Sequence, residues 1–391
     1  MTPEVADIAP LVSPDRLIGR LRELVQTPSE NPPGEEAAAA SLAARFCEEL
    51  GLEVSVHELD AGRPSVVARR TFGDGPTLCY CSHIDVVPAG EHSAWAHEPY
   101  GADIVDGIMH GRGSSDAKGP IAAALEAVEV LTAAEIPLHG TLELALVADE
   151  EAMGFKGAGF LIEQSIIRPD IAIVGEPTAL RIVRAQRGPC WMRIITRGIA
   201  AHGSAPERGV SAIRHMSEIV LRLEETLPDI THEVVGGPSI NVGTIHGGAK
   251  VNVVPAVCIA EVDRRSIPGE TKESVIASIE AAIELAKQRF PEIDATVELP
   301  VYGEPFEVRE DSIVLQALSD AVSASTGAPA EIVGFRGSSD ARFFAEAGTD
   351  VVVTGPGDIT VAHTAREYID LAELERGAIA YALAFAKLLT P

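Results

Sequence analysis

Short apolar segments with strand-like composition alternate with longer segments of helical periodicity along most of the chain. Lys118–Ala134 repeats apolar residues at helical spacing, and the alanine run Ala37–Ala40 also favours a helix. Such alternation constrains the chain to an α/β fold with a largely parallel sheet, whose functional groups lie beyond the carboxyl ends of the strands. The segments that predict strands are Pro64–Arg70, Pro76–Ser82, Thr141–Ala148 and Ile171–Val174.

A second pattern occupies the middle of the chain, which at 391 residues is too long for one core. It predicts a small α+β sandwich at 187–299, inserted into a larger catalytic domain formed by 1–186 and 300–391. The first pattern then returns, with helices at Asp311–Ser325 and Leu371–Leu388 and a strand at Val351–Thr354. The elements predicted in the insert are strands at Cys190–Thr196, Ser239–Ile245, Ala256–Asp263 and Ala295–Leu299, and helices at Val210–Leu227 and Thr271–Gln288.

Composition limits the partners and the location of the protein. A net charge of −27 argues against binding to nucleic acid or to an anionic membrane, because phosphate binding needs clustered Lys and Arg. No uncharged apolar run is long enough to span a bilayer, and Met1–Pro14 lacks the features of a signal peptide. Five cysteines without regular spacing indicate reduced thiols. We therefore expect a cytoplasmic protein with no membrane partner.

Two adjacent glutamates, Glu150 and Glu151, follow the apolar strand Thr141–Ala148 and come directly after Asp149. Like charges this close raise the pKa of one carboxyl, unless a cation holds both ionised. Neighbouring side chains point in different directions, so one can bind a metal while the other acts on a water beside it. The pair is a candidate metal ligand plus general base.

Two further motifs carry candidate ligands. In His83-Ile84-Asp85, after a strand, the carboxylate can accept the second imidazole N–H and thereby strengthen the other nitrogen as a ligand. Asp116 lies in the glycine-rich segment Gly111–Gly119, which lacks the spacing of a phosphate-binding loop. Each has an ordinary alternative: His83 as a satisfied loop histidine and Asp116 as a helix N-cap.

Glu176 and His363 follow the strands Ile171–Val174 and Val351–Thr354, although a glutamate at such a place can also be a solvated loop residue. With the others they form a set of two histidines and three carboxylates, which suits a pair of zinc-like ions. Ions roughly 3.5–4 Å apart need a bridging carboxylate, and an aspartate suits a short bridge. The full set of candidate ligands is His83, Asp116, Glu151, Glu176 and His363.

The ordered series of motifs resembles metallopeptidase family 20, which includes acetylornithine deacetylase, succinyl-diaminopimelate desuccinylase, glutamate carboxypeptidase and the aminoacylases. The resemblance runs from Pro28–Gly34 to the segment around His363, nearly the whole chain. It implies a zinc-peptidase-like catalytic domain with a mostly parallel central sheet, and an inserted domain that serves as lid and dimerisation domain. It also implies a homodimer and two divalent metal ions, zinc by expectation, with cobalt or manganese as alternatives.

The resemblance assigns a role to each candidate ligand. By that similarity, His83 and Glu176 bind one metal, Glu151 and His363 bind the other, and Asp116 bridges the two.

The resemblance also implies three catalytic residues. Glu150 is the general base and Asp85 supports His83. His202, in Ala201–Pro206, matches the lid histidine that reaches the active site of a partner subunit and stabilises the oxyanion. The ordinary alternative for His202 is a loop residue without such a role.

Three residues are implied in substrate binding. Arg265, in Asp263–Pro268, is the candidate clamp for a substrate carboxylate, since a planar guanidinium suits one. Its alternative is an ion pair with Glu261 or Asp263. Asn252 lies in a matching lid motif, and Gly337 begins a segment that resembles the desuccinylase branch.

Some positions depart from the family pattern, namely Ser82, Ser211 and the loop Ala152–Phe155, and they leave the substrate open. We expect a hydrolase that cleaves the amide bond of an N-acyl amino acid, a small molecule with a carboxylate. A dipeptidase or carboxypeptidase using the same residues is the alternative. A two-metal phosphoesterase and a non-catalytic binding protein are weaker ones, because no basic cluster accompanies the ligands and Glu150 is present with all five of them.

Overall fold

A computed structural model describes residues 3–390 of the chain. The terminal residues 1, 2 and 391 of the predicted catalytic segments lie outside this range. Two compact units are present, and the second is formed by Ala185–Glu307 with Gly334–Ser338. Gly337 therefore belongs to the second unit, although the sequence analysis placed it in the catalytic domain. The first unit comprises Met1–Arg184, Val308–Val333 and Ser339–Pro391.

The strands of the described residues fall into three sheets. They are β1 Glu53–Glu58, β2 Pro64–Thr71, β3 Thr77–His83, β4 Asp103–Val105, β5 Ile108–His110, β6 Thr141–Val147, β7 Ile171–Val174, β8 Ile182–Gln186, β9 Gly188–Arg197, β10 Ser239–Gly247, β11 Val257–Ser266, β12 Asp294–Tyr302, β13 Phe306–Glu307, β14 Ile332–Phe335, β15 Asp350–Val353 and β16 Tyr368–Asp370.

The predicted helices are present. The largest difference is in α6, which ends at Arg222 instead of Leu227 because a 3₁₀ turn, Glu224–Thr226, follows it. The α-helices are α1 Val5–Ile8, α2 Pro14–Val25, α3 Ala37–Glu49, α4 Lys118–Ala133, α5 Ala158–Glu163, α6 Ala212–Arg222, α7 Lys272–Lys287, α8 Ile313–Thr326, α9 Ala341–Glu346 and α10 Leu371–Leu389.

The first unit contains the central sheet, in the order β1-β2-β6-β3-β7-β15-β8. The middle strands β6, β3, β7 and β15 pair in parallel, whereas β1–β2, β2–β6 and β15–β8 pair antiparallel. The predicted α/β class is confirmed, but the sheet is mixed. The short link between β1 and β2 explains part of this difference, because a parallel pair needs a crossover of a dozen or more residues.

The parallel centre is buried on both faces, as its continuous apolar strands require. Every residue of β7 is buried, and α4 buries all residues from Lys118 to Val128. Both α4 and α10 contact β3. The centre of the sheet is therefore a rigid support for the loops at its carboxyl edge.

The second unit is an antiparallel sheet in the order β10-β11-β9-β12, packed with α6 and α7. Alternate residues of β11 are buried, as expected for a sheet with one face against a core. Met192, Met216 and Ile279 are central members of that core. The predicted sandwich of four strands and two helices is present. Its role as a lid stays a prediction, as do the functional names of both predicted domains.

Two expectations from composition can be compared with the structure. All five cysteines are buried free thiols, in agreement with the predicted reduced state. Among residues 3–390, no helix is both long and apolar enough to cross a membrane.

Candidate metal centre

Four of the five candidate ligands lie at or beyond the carboxyl ends of the four parallel strands, and Asp116 lies in the loop before α4. His83 is the last residue of β3, and Glu150 and Glu151 lie in the turn that follows β6. Glu176 comes shortly after β7, and His363 lies in the loop between β15 and β16. Because these strands are neighbours in the order β6-β3-β7-β15, their loops converge at one edge of the sheet.

Asp116 lies between the two histidines. Its Oδ1 is 3.1 Å from His83 Nε2, and its Oδ2 is 3.2 Å from His363 Nε2. The N-cap of α4 is Ala117, and no side chain caps the helix, so the alternative of Asp116 as an N-cap is wrong. A buried carboxylate that turns one oxygen toward each of two imidazoles has the arrangement of a bridging ligand.

Each of the two remaining carboxylates lies near one of the histidines. Glu151 Oε2 is 3.0 Å from His363 Nε2, and Glu176 Oε2 is 4.0 Å from His83 Nε2. Ligand atoms of His83, Asp116 and Glu151 lie within 4.8 Å of one another. The structure thus brings all five candidate ligands together, with Asp116 between the two histidines. Their assignment to two separate metal ions stays a prediction.

The donors fit metal ions. Glu176 is 6% exposed, and its Oε1 is buried without a hydrogen-bond partner among the described residues. A buried carboxylate oxygen without a donor is costly, and a cation would compensate it. Two imidazoles and three carboxylates are the mixed nitrogen and oxygen donors that zinc and similar divalent ions accept.

The electrostatics of the site point the same way. Burial raises the pKa of Glu150 well above its usual range, and the nearby Glu176 carboxylate raises it further. The pKa of His363 rises to about 10, because the Asp116 and Glu151 carboxylates accept its hydrogen bonds. Protons on Glu150 and His363 therefore balance part of the negative charge of the carboxylates. Metal ions that bind at this place must displace those protons.

Asp85 supports His83 through a different atom from the one predicted. His83 Nδ1 donates to the Asp85 main-chain carbonyl at 2.9 Å, while the nearest carboxylate oxygen is 3.6 Å away. The carboxylate instead accepts from Asn31 Nδ2 at 2.8 Å and from the N–H groups of Glu150 and Glu151 at 3.3 and 3.2 Å. Asp85 therefore orients the histidine and the glutamate pair together.

Glu367, which the sequence analysis missed, holds the main chain of Asp116 in place. It is 1% exposed, and its Oε1 accepts the N–H groups of Ser115 and Asp116, both at 3.1 Å. Its other oxygen pairs with Arg112, whose guanidinium lies over the Trp95 ring. Its only sequence signal is its position four residues after His363, which does not reveal the contact.

We expect Glu367→Gln to weaken metal binding by about 10–100-fold, as loss of a residue that orients ligands does. The substitution removes the negative charge opposite Arg112 and the carboxylate geometry that fixes the Asp116 main chain. Chelator competition measures the affinity. Glu163→Gln, at an exposed glutamate of α5, is the matched control. Wild-type affinity in Glu367→Gln would contradict this role.

His202 and Asn252 are neighbours in the second unit. His202 is exposed, and its Nδ1 accepts the N–H of Ser204 at 3.1 Å. The N–H of the intervening Gly203 donates to the Asn252 carbonyl at 2.7 Å. An accepting Nδ1 leaves the neutral ring with its proton on Nε2, which is then a free donor.

Arg265 forms an ion pair inside the second unit. Its Nε lies 2.9 Å from Asp263 Oδ1, and its Nη2 donates to Oδ2 at 3.0 Å. This is the alternative that the sequence left open, and a substrate carboxylate would have to compete with Asp263. Gly337 lies in the same unit, where an added Cβ would come within 2.7 Å of the Phe335 ring. The roles of both residues in substrate binding stay predictions.

Known proteins share this architecture. The aminopeptidase PepT from Bacillus cereus superposes with a TM-score of 0.79 at 26% identity, covering 97% of this chain and 99% of that one. A family M20 metallo-carboxypeptidase from Sulfolobus solfataricus gives a TM-score of 0.80 at 20% identity, over 96% and 99% of the two chains. The second likeness supports the fold alone.

Sequence relatives cover the same length. The acetylornithine deacetylase of Photorhabdus laumondii is 31% identical over 368 residues, 90% of this chain and 91% of that protein. The succinyl-diaminopimelate desuccinylase of Hydrogenovibrio crunogenus is 27% identical over 365 residues, 91% and 94% of the two.

The predicted enzyme class, a metal-dependent hydrolase acting on C–N bonds, is confirmed by these matches. The profile of the family described as Peptidase family M20/M25/M40 matches residues 79–387, which include all five candidate ligands and Glu150. With the fold and these relatives, that match means that the chain belongs to peptidase family M20/M25/M40.

Proposed function

We propose that the protein hydrolyses the amide bond of an N-acyl amino acid, with two divalent metal ions and with Glu150 as the general base. The observation that carries this proposal is the position of Glu150. It is half-buried beside the five-ligand cluster, and its main-chain N–H is hydrogen-bonded to the Asp85 that also orients His83. The names of the deacetylase and desuccinylase relatives support the choice of an N-acyl amino acid.

His83 and Glu176 would hold one ion and Glu151 and His363 the other, with Asp116 between them. When bound, two such ions polarise a carbonyl and lower the pKa of a water molecule. Zinc is the proposed metal, and cobalt or manganese suits the same donors.

Glu150 moves the proton in the proposed reaction. Its carboxylate accepts a proton from the attacking water and returns it to the leaving amine nitrogen. Burial raises the pKa of Glu150 well above its usual range, which makes its carboxylate a stronger base toward the attacking water.

The second unit supplies the proposed contacts to the substrate. His202 would donate from Nε2 to the developing oxyanion, acting in the site of a partner subunit, so we also propose a homodimer. Arg265 would exchange its ion pair with Asp263 for one with the substrate carboxylate, and Asn252 and Gly337 are proposed to line the same place. A cytoplasmic location is part of the proposal.

A dipeptidase or aminopeptidase activity is the second candidate. The likeness to an aminopeptidase at 26% identity over nearly the whole chain favours it. The same general base and ligands would serve either reaction, since both cleave an amide.

A substrate panel separates the two functions. Zinc-loaded protein is incubated with N-acetyl amino acids, N-succinyl amino acids and dipeptides, and the released amine is measured. We expect turnover of N-acyl amino acids with a kcat/KM at least about tenfold above that of any dipeptide, a difference of about 1.4 kcal/mol. Faster cleavage of dipeptides would make the second candidate correct, and release of no amine from any member would contradict both.

A further inference from the structure

Three arginines from separate stretches of the chain lie together in the second unit: Arg187, Arg265 and Arg336. The N–H of Arg187 donates to the Phe335 carbonyl at 3.1 Å, which places it beside the residue preceding Arg336. Its Nη1 donates to Ser239 Oγ at 3.2 Å, and Ser239 is the β10 residue directly opposite Arg265 in the sheet. The hydrogen bonds of Arg187 thus link it to the residue before Arg336 and to the residue opposite Arg265.

A rigid support holds Arg187. The residue is 8% exposed, and its Nε and Nη2 donate to the Val235 carbonyl at 3.0 and 2.7 Å. Val235 packs with Ala185 and Ile267 in a small apolar core of the second unit. The guanidinium is therefore oriented by a main-chain carbonyl and a hydroxyl, which leave its positive charge unbalanced.

The charges of the cluster do not cancel. Arg265 is paired with Asp263, but in the described part of the chain neither Arg187 nor the exposed Arg336 makes an ion pair. Burial lowers the pKa of Arg187, and the charges of Arg336 and Arg265 lower it further. Such repulsion, in a protein with a net charge of −27, is relieved by an anionic ligand.

We propose that Arg187 and Arg336 form a second anion subsite beside Arg265, so that the substrate carries two carboxylates. This inference rests on the proposed function, in which Arg265 receives the first carboxylate. A guanidinium binds a carboxylate through two parallel N–H donors. The second carboxylate belongs either to the acyl group or to the amino-acid side chain.

Three substrates distinguish these sources. N-acetylalanine has one carboxylate, N-succinylalanine has a second in the acyl group, and N-acetylglutamate has a second in the side chain. We expect the wild type to prefer one of the two dicarboxylates, and that preference identifies the source. Arg336→Gln should lower kcat/KM for the preferred substrate by about 10–100-fold and for N-acetylalanine by less than about twofold.

Arg197→Gln is the matched control. Arg197 is an exposed arginine at the far end of β9, hydrogen-bonded only to Thr296 among the described residues. This variant should leave all three rates within about twofold of wild type. Equal losses in Arg336→Gln on all three substrates, or a wild type without preference, would overturn the subsite while leaving the proposed function intact.

If none of these substrates is cleaved, the proposed function is contradicted. A binding measurement then tests the subsite independently of the reaction. Calorimetric titration compares glutarate, with two carboxylates, to butyrate, with one. We expect wild-type protein to bind glutarate at least about tenfold more tightly, and Arg336→Gln to remove that difference. Equal affinity for the two acids in the wild type would overturn the subsite itself.

Discussion

Replacing Glu150 by glutamine is expected to lower kcat by about 10²–10⁴-fold, the range that a general base contributes. Glutamine keeps the size of the side chain but accepts no proton. Among residues 3–390, none of the hydrogen bonds that orient the candidate ligands involves the Glu150 side chain. The Glu150 main-chain N–H, which donates to Asp85, is unchanged by the substitution. Metal content should therefore remain at the wild-type value.

Steady-state turnover and elemental analysis of the same preparation check both parts of this result. Glu163→Gln, at the exposed glutamate of α5, should change neither. Near-wild-type turnover in Glu150→Gln would make the base assignment wrong. Loss of metal together with turnover would mean that Glu150 is a ligand.

Asp116→Ala should abolish turnover through a different cause, the loss of metal. Asp116 is the residue whose carboxylate faces both histidines, at 3.1 and 3.2 Å. Removing a bridge leaves each ion short of a ligand and leaves their mutual repulsion less compensated. We expect metal content below one ion per chain, against two for the wild type.

Elemental analysis after dialysis against metal-free buffer measures this loss. Asp311→Asn, at an exposed aspartate paired with Arg309, is the control and should keep its metal. Thermal unfolding of both apo proteins separates a binding defect from a folding defect. Full metal content in Asp116→Ala would show that the residue bridges nothing.

The convergence of the candidate ligands was predictable from sequence because most of them are tied to a local signal. His83, Glu151 and Glu176 come at or just beyond the ends of buried strands, where the chain is recognisable from its apolar runs. Those three strands, β6, β3 and β7, are neighbours that pair in parallel, so their carboxyl ends meet. Local pattern and global topology thus agree at this edge of the sheet.

Supporting residues were not predictable in this way. Glu367 reaches the main chain of Asp116 across 251 positions of sequence, and Asn31 reaches Asp85 across 54. No periodicity or short motif encodes contacts at such separations. The sequence also does not indicate that His83 would donate to the Asp85 carbonyl instead of the carboxylate, since that depends on the turn after β3.

The hairpin formed by β4 and β5, which the sequence analysis missed, did have a local signal. Asp106-Gly107 connects β4 to β5, and both residues have positive φ angles, 50° and 80°. An Asp-Gly pair between short apolar segments is typical of a two-residue hairpin. The mixed pairing of the central sheet also had a signal at its edge, because β1 alternates polar and apolar residues whereas the parallel strand β7 is a continuous apolar run.

Anomalous diffraction from zinc-loaded crystals tests the central claim most directly. The account predicts two zinc peaks in each chain, roughly 3.5–4 Å apart. One should lie against His83 and Glu176, the other against Glu151 and His363, with Asp116 between them. A single peak, or peaks away from these five side chains, would contradict the two-metal centre on which the proposed hydrolysis depends.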